Sequence, residues 1–270
     1  MTARTFLVRG LLAGLVAGLL TFFVAYAVGE PPVDAAIALE EAGSAEPAPP
    51  ATAPDHEHDH AHQEAGGHSH GDEEGGISRT TQKTWGLATA TVAVGVALGG
   101  IVALAAAGVA GRLGRLSVVG STALVTALGF LAFSLVPFLK YPAAPPAVGS
   151  GDTIGERTGY YFAFVLVSVI AVVLTVAAAR VLTARIGGYW ATVAAGAGYV
   201  VVVAVAAALL PAVNELGDFP ADVLWEFRVG SLLTLATMWV SLGVVLTALL
   251  RPLALPSPQV AAAVPVAQPA

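Results

Sequence analysis

Residues 86–110 read GLATATVAVGVALGGIVALAAAGVA. The run carries no charge, and its only hydroxyls are Thr89 and Thr91. About 20 apolar residues let a helix cross the hydrocarbon core of a bilayer, so this stretch reads as a transmembrane helix. Working outward, five more runs pass the same test: Phe6–Val28, Leu116–Leu139, Gly159–Val181, Trp190–Leu210 and Val229–Leu250. Beyond the first span, ionisable residues occur only near span ends, and in the first Arg9 lies close to one end. The expected fold is an all-α integral membrane protein of about six transmembrane helices.

Composition agrees. Charged residues make up 11% of the chain, against roughly 25% in a soluble domain. The deficit implies a lipid bilayer as the main environment, not a large water-soluble core. There is no cysteine, which removes disulfides, thiolate metal sites, iron–sulfur clusters and covalent haem. Any metal must bind through nitrogen and oxygen donors, with at most a thioether from Met238. A pI near 5.4 gives no support for nucleic-acid binding.

The arginines set the expected orientation. Arg4 and Arg9 precede or open the first span, Arg112 and Arg115 join the second to the third, Arg180 and Arg185 the fourth to the fifth, and Arg251 follows the sixth. None of these segments holds an acid, and all 18 Asp and Glu fall on the other side. The positive-inside rule places the arginine side in the cytoplasm. Both termini are then cytoplasmic, and the protein is a multi-pass component of the cell (plasma or inner) membrane. Ala25-Tyr26-Ala27 resembles a signal-peptidase site, but the apolar run before it exceeds the roughly 7–15 residues of a signal core. The first helix is expected to be retained.

The chain therefore divides into a first transmembrane helix (1–28), an outer loop (29–84), a five-helix membrane bundle with two structured outer loops (85–251), and a disordered Pro/Ala-rich cytoplasmic tail (252–270). Within the outer loop, residues 30–42 read as a short amphipathic segment, with Pro31 and Pro32 breaking the first span. Residues 43–76 are too poor in apolar side chains to fold. Pro220 is expected to open a short helix in the third outer loop. Gly10, Gly14 and Gly18 recur every fourth residue, as do Gly95 and Gly99, a pattern suited to close helix packing in lipid.

All six histidines fall in one tract of the outer loop, DHEHDHAHQEAGGHSHGDEE, from Asp55 to Glu74. His56, His58, His60 and His62 alternate with other residues, mostly acidic, and His68 and His70 form a second pair. Neutral imidazoles ligate zinc, copper, nickel and cobalt(II). A disordered His/acid-rich array offers several coordination registers, which suits metal capture better than a permanent site. Such binding weakens as pH falls below about 6.5. The bland alternative is an acidic spacer. The remaining candidate ligands are oxygen donors on the outer side: Glu30, Asp34, Glu41, Asn214, Glu215, Asp218, Asp222 and Glu226. Brought together they would form a hard-oxygen site for incoming metal; apart, they are ordinary solvated charge.

No ionisable residue sits at mid-bilayer depth, where one would mark an ion pathway. Thr89, Thr91, Thr126, Ser134, Thr237 and Ser241 either line a path or bond their own helix backbone. There is no GxxxxGK[ST] phosphate loop, no metallohydrolase helix motif and no nucleophile–base pair. The chain reads as a non-enzyme.

Several segments resemble a known family, the CbtA-type probable cobalt transporter subunit. They are RGLLAGLVAGLL (9–20), GEPPVDAAIALEE (29–41), HSHG (68–71), VPFLKYPAAPPAVG (136–149) with DTIGERT (152–158), and LLPAVNELGDFPADVLWEFR (209–228). The resemblance implies a cobalt uptake component serving cobalamin synthesis. It also implies a small single-span, His-containing CbtB-type partner, and five spans where six are read here. Cobalt rests on the resemblance alone, because imidazole and carboxylate sites hold nickel and copper at least as well. Divalent cobalt, or nickel or zinc, is the captured or transported ion rather than a permanent cofactor. The leading expectation is a membrane subunit for uptake of such a metal. The alternatives are a non-transporting metal sensor or metallochaperone anchor, or a nickel or zinc transporter.

Overall fold

A computed structural model describes residues 2–44, 77–114 and 116–254. The six histidines, Arg115 and the tail beyond Ala254 lie outside the described residues. Six helices are long and apolar enough to cross a membrane, and no strand occurs among the described residues. Their apolar stretches coincide with the six expected spans.

The first helix does not stop at its prolines. α1 (Ala3–Val24) runs through a π-helical segment, π1 (Ala25–Gly29), into α2 (Glu30–Ser44). A continuous rod results, of which Ala3–Gly43 makes up 41 residues, about 60 Å at ~1.5 Å per residue. Pro31 and Pro32 have no N–H to give, and a proline ring clashes with the carbonyl four residues back. The π segment widens the turn just before them, with the Glu30 N–H bonding the Ala25 carbonyl five residues back. The prolines then sit in the first turn of α2, where a missing N–H costs least. The expected break is thus a bulge.

The same device recurs in the third span. α5 (Val118–Gly129) passes through π3 (Phe130–Leu135) into α6 (Val136–Lys140), where the Val136 N–H reaches the Leu131 carbonyl immediately before Pro137. The second span opens with α3 (Arg79–Thr81) and π2 (Gln82–Gly86), then continues as α4 (Leu87–Val109). A short 3-10 turn (Gly151–Thr153) leads into α7 (Ile154–Ile186), followed by α8 (Gly188–Leu209). α9 (Ala221–Ala254) is one helix of 34 residues, not a short loop helix followed by a span.

The tightest seam joins α1 to α4. They run antiparallel, with Gly10 against Gly99, Gly14 against Gly95 and Gly18 against Thr91. Any Cβ at Gly14 would strike the Gly95 backbone, so the glycines set the separation of the helices. α9 packs on α1 and α5 and completes the core. Phe6, Ala13, Ala17, Val102, Ala103, Ala106, Met238, Trp239, Leu242, Leu246 and Leu250 are buried there together. α8 packs chiefly on α7, after a turn at Gly187 with φ of 78°. The Ser168 and Tyr199 hydroxyls join the pair by a buried 2.9 Å hydrogen bond.

With the six helices alternating, the described arginines of the short turns gather at one end of the bundle and the described acids at the other. Arg9, at the arginine end, donates to the Leu249 carbonyl near the end of α9. A cation there is well placed against the negative end of a helix.

Candidate functional site

At the acidic end the helices splay around a cavity of about 830 Å³. Two bulges help make it. Ala25 and Gly29 of π1 and Ser134 of π3 line the cavity. π-bulges are frequent at functional sites because they displace backbone and side chains from α-helical register. Phe138, Tyr161, Phe162 and Phe227 supply apolar wall. Five charged side chains also line it: Glu30, Lys140, Arg157, Glu215 and Arg228.

Each of the two carboxylates is already engaged. Glu30 and Asp34 lie four residues apart on α2, on one face, and both meet Arg79 of α3. Arg79 bonds Glu30 through one terminal nitrogen and Asp34 through its Nε at 2.9 Å. Lys83 adds a contact to Asp34 at 3.3 Å. Glu30 is the more enclosed, its side chain only 13% exposed.

Glu215 belongs to the loop between α8 and α9. It accepts from the Ser150 N–H at 3.2 Å and the Thr153 hydroxyl at 3.0 Å. Arg157 Nε stands 3.5 Å away as an ion pair, and Arg157 also donates to the Ser150 carbonyl at 3.1 Å. The Thr153 hydrogen bond holds the Glu215 carboxyl below the usual glutamate range; partial burial opposes it, and the Ser150 N–H and Arg157 charge assist. Gly149, with φ of 95°, lets the loop pass beside Arg157 and Glu215, where a side chain would collide. Lys140 donates to the Leu210 carbonyl at 3.3 Å, and Tyr141 to the Pro211 carbonyl at 2.8 Å. The second and third acidic-end loops are thereby tied together across the cavity mouth.

Deeper in, the Trp239 indole N–H donates to Ser134 Oγ at 2.8 Å, with both residues buried. Phe130 and Phe133 flank the indole at ring separations of 6.4 Å. Gly129 leaves room for it, since a Cβ there would lie 2.6 Å from the ring.

Of the expected oxygen donors, Glu30 and Glu215 line the cavity, and Asp34 adjoins it through Arg79. Glu41, Asn214, Asp218, Asp222 and Glu226 are exposed and lie outside its lining. Among the described residues, no three His, Cys, Asp or Glu side chains come together as a set able to hold a metal ion. His56, His58, His60, His62, His68 and His70 fall outside the described residues. Thr91, Thr126, Thr237 and Ser241 bond carbonyls of their own helices. Ser134 instead serves as the acceptor for Trp239. Met238 is a buried core side chain.

Sequence reasoning passed over the basic partners. Arg79, Lys140, Arg157 and Arg228 were visible as cations on an otherwise acidic side. That was the available signal, but it gave no pairing.

The family model described as "Probable cobalt transporter subunit (CbtA)" matches residues 3–251. The chain belongs to the CbtA family. The match takes in every described transmembrane helix and the whole cavity lining. No curated protein and no solved structure shows a significant match to the chain. CbtA membership makes this multi-pass protein a cobalt transporter subunit, and a subunit implies a partner. The family is described as one of transporter subunits.

Proposed function

We propose that this CbtA subunit takes up divalent cobalt through the acidic-end cavity and supplies cobalamin synthesis. The arginine end faces the cytoplasm of a cell whose plasma or inner membrane holds the protein, and the acidic end faces out. His56, His58, His60, His62, His68 and His70 capture metal outside. Asp34, Glu41, Asn214, Asp218, Asp222 and Glu226 provide oxygen donors along the approach. Glu30 and Glu215 receive the ion. The partner is a small single-span, His-containing CbtB-type subunit.

One observation carries the reading: a cavity in a cobalt-transporter family member holds two carboxylates, each in a partly exposed ion pair. Ion pairs open to solvent exchange partners readily, and the Arg157–Glu215 pair is the more open of the two at its carboxylate. A dication displaces a guanidinium from Glu30 or Glu215 without leaving either carboxylate bare.

The test is radiolabelled cobalt accumulation in cells lacking their own importers, with the small partner coexpressed and nickel and zinc as competitors. Accumulation that nickel barely reduces is expected, with Glu30→Gln and Glu215→Gln each lowering it at least tenfold. Deleting Asp55–Glu74 should slow uptake at scarce metal and matter little at abundant metal. No accumulation by correctly inserted protein would favour a metal-sensing anchor instead.

A further inference from the structure

Arg228 is the unexplained charge of the cavity. It projects from the outer third of α9, and its Nε is shielded from solvent with no hydrogen-bond partner among the described residues. The ion pairs of the described residues are Arg79–Glu30, Arg79–Asp34, Lys83–Asp34 and Arg157–Glu215. Neither Arg228 nor Lys140 takes part in one. Lys140 meets only the neutral Leu210 carbonyl and lies 5.4 Å from the Tyr141 ring centroid. Both carboxylates of the lining are already matched, Glu30 by Arg79 and Glu215 by Arg157. Two positive charges are left over in one cavity. A shielded polar group without a partner calls for an explanation.

Size and chemistry indicate what completes the site. A cavity of about 830 Å³ falls in the range of roughly 300–1,000 Å³ typical of pockets for small organic molecules. Its aromatic wall with a few convergent polar groups also fits that class. A bare cation would need a ring of donors, and no metal-holding set of three acids or histidines exists among the described residues. Beyond the two ion pairs, the surplus positive charge of Arg228 and Lys140 is unsuited to holding a metal ion directly. It attracts a carboxylate, which a guanidinium binds in a two-pronged fork.

We propose that the cavity takes cobalt as an anionic complex with a small polycarboxylate, whose free carboxylate is held by Arg228 and Lys140. The proposal rests on the cobalt-uptake reading and names its substrate form. A tricarboxylate outweighs the charge of a dication, so the complex is negative overall. It brings its own oxygen donors to the metal, so Glu30 and Glu215 need only complete the coordination shell. The phosphate of a lipid headgroup shares the chemistry of a carboxylate, and the test must separate the two.

Full-length protein purified in uncharged detergent is to be equilibrated with radiolabelled citrate, with and without cobalt. Saturable citrate binding is expected, tightened by cobalt and weakened at least tenfold by Arg228→Gln and by Lys140→Gln. Arg185→Gln, at the opposite end, should bind as the unaltered protein does. Arg228→Lys, which keeps the charge, guards against misfolding and should retain weaker binding. No saturable citrate binding, or equal binding by Arg228→Gln, overturns the proposal. So does a site that short-chain phosphatidylglycerol fills and citrate does not. In cells, uptake of free cobalt without citrate binding would defeat the chelate inference and leave cobalt transport standing. Citrate binding without cobalt uptake in either form would defeat the transport reading.

Discussion

Glu215 illustrates how one carboxylate holds two loops. Its folded pKa lies below the ordinary 4.5 because the Thr153 hydroxyl, the Ser150 N–H and Arg157 favour the charged form over the opposing effect of burial. The sign follows by linkage: its stabilisation is complete above the unfolded value and lost as pH falls through the lower folded one. Amide exchange at Ser150 should stay slow down through the ordinary glutamate range and speed up below it, whereas Glu215→Gln should remove that step. Ser134 and Trp239 make an asymmetric pair. Ser134→Ala strands a buried indole N–H, which costs about 1–3 kcal/mol. Trp239→Phe leaves a serine able to turn back onto its own helix. Denaturant unfolding in detergent should therefore show the Ser134→Ala loss partly recovered in the double variant. Neither site was fully legible in the sequence. Glu30 and Glu215 stood out as acids beside spans, but their arginine partners lie 49 and 58 positions away by number, and no local pattern announces such pairing. Ser134 and Trp239 read only as a polar and an aromatic residue in separate spans.

At the scale of elements, apolar length was enough to read six helices, because nothing but a helix satisfies its backbone in lipid across such runs. The glycine spacing was also legible, and the α1–α4 seam uses every one of the five glycines. Gly14→Leu must force the two backbones apart, since its Cβ would lie 2.7 Å from the Gly95 carbonyl carbon and 2.9 Å from Val96 Cα. A loss of about 1–3 kcal/mol or more is expected from such overpacking. Gly108→Leu, with nothing within 4 Å, should be close to neutral in the same unfolding assay. What misled was proline. Pro31-Pro32 reads as a helix stop when its full steric cost is charged to an α-helix. A preceding π turn removes most of that cost, and the choice between a stop and a bulge depends on packing. Here Gly230 of α9 presses against the Val28 carbonyl, where a Cβ would sit 2.6 Å from the oxygen. The contact braces the junction at the carbonyl that Pro32 leaves without its α-helical donor.

The whole molecule has two chemically opposite ends, and the absence of cysteine makes their sidedness easy to read. A membrane-impermeant thiol reagent applied to intact cells should label Glu41→Cys, and should label Arg185→Cys only after permeabilisation. The reverse pattern would invert the proposed orientation and the direction of metal capture with it. The bundle is also uneven in how firmly its parts are held. α8 packs chiefly on α7 and turns most of its surface outward, with Val200, Val201, Val205 and Leu209 more than half exposed. Its 22 residues span about 33 Å at ~1.5 Å per residue, close to a hydrocarbon core of about 30 Å. Gly187 and Pro211 flank it, so it has no spare turn to extend. The α7–α8 hairpin is then where the protein feels bilayer thickness. In vesicles of progressively longer acyl chains, hydrophobic mismatch should strain that hairpin before it disturbs the glycine-locked α1–α4 pair.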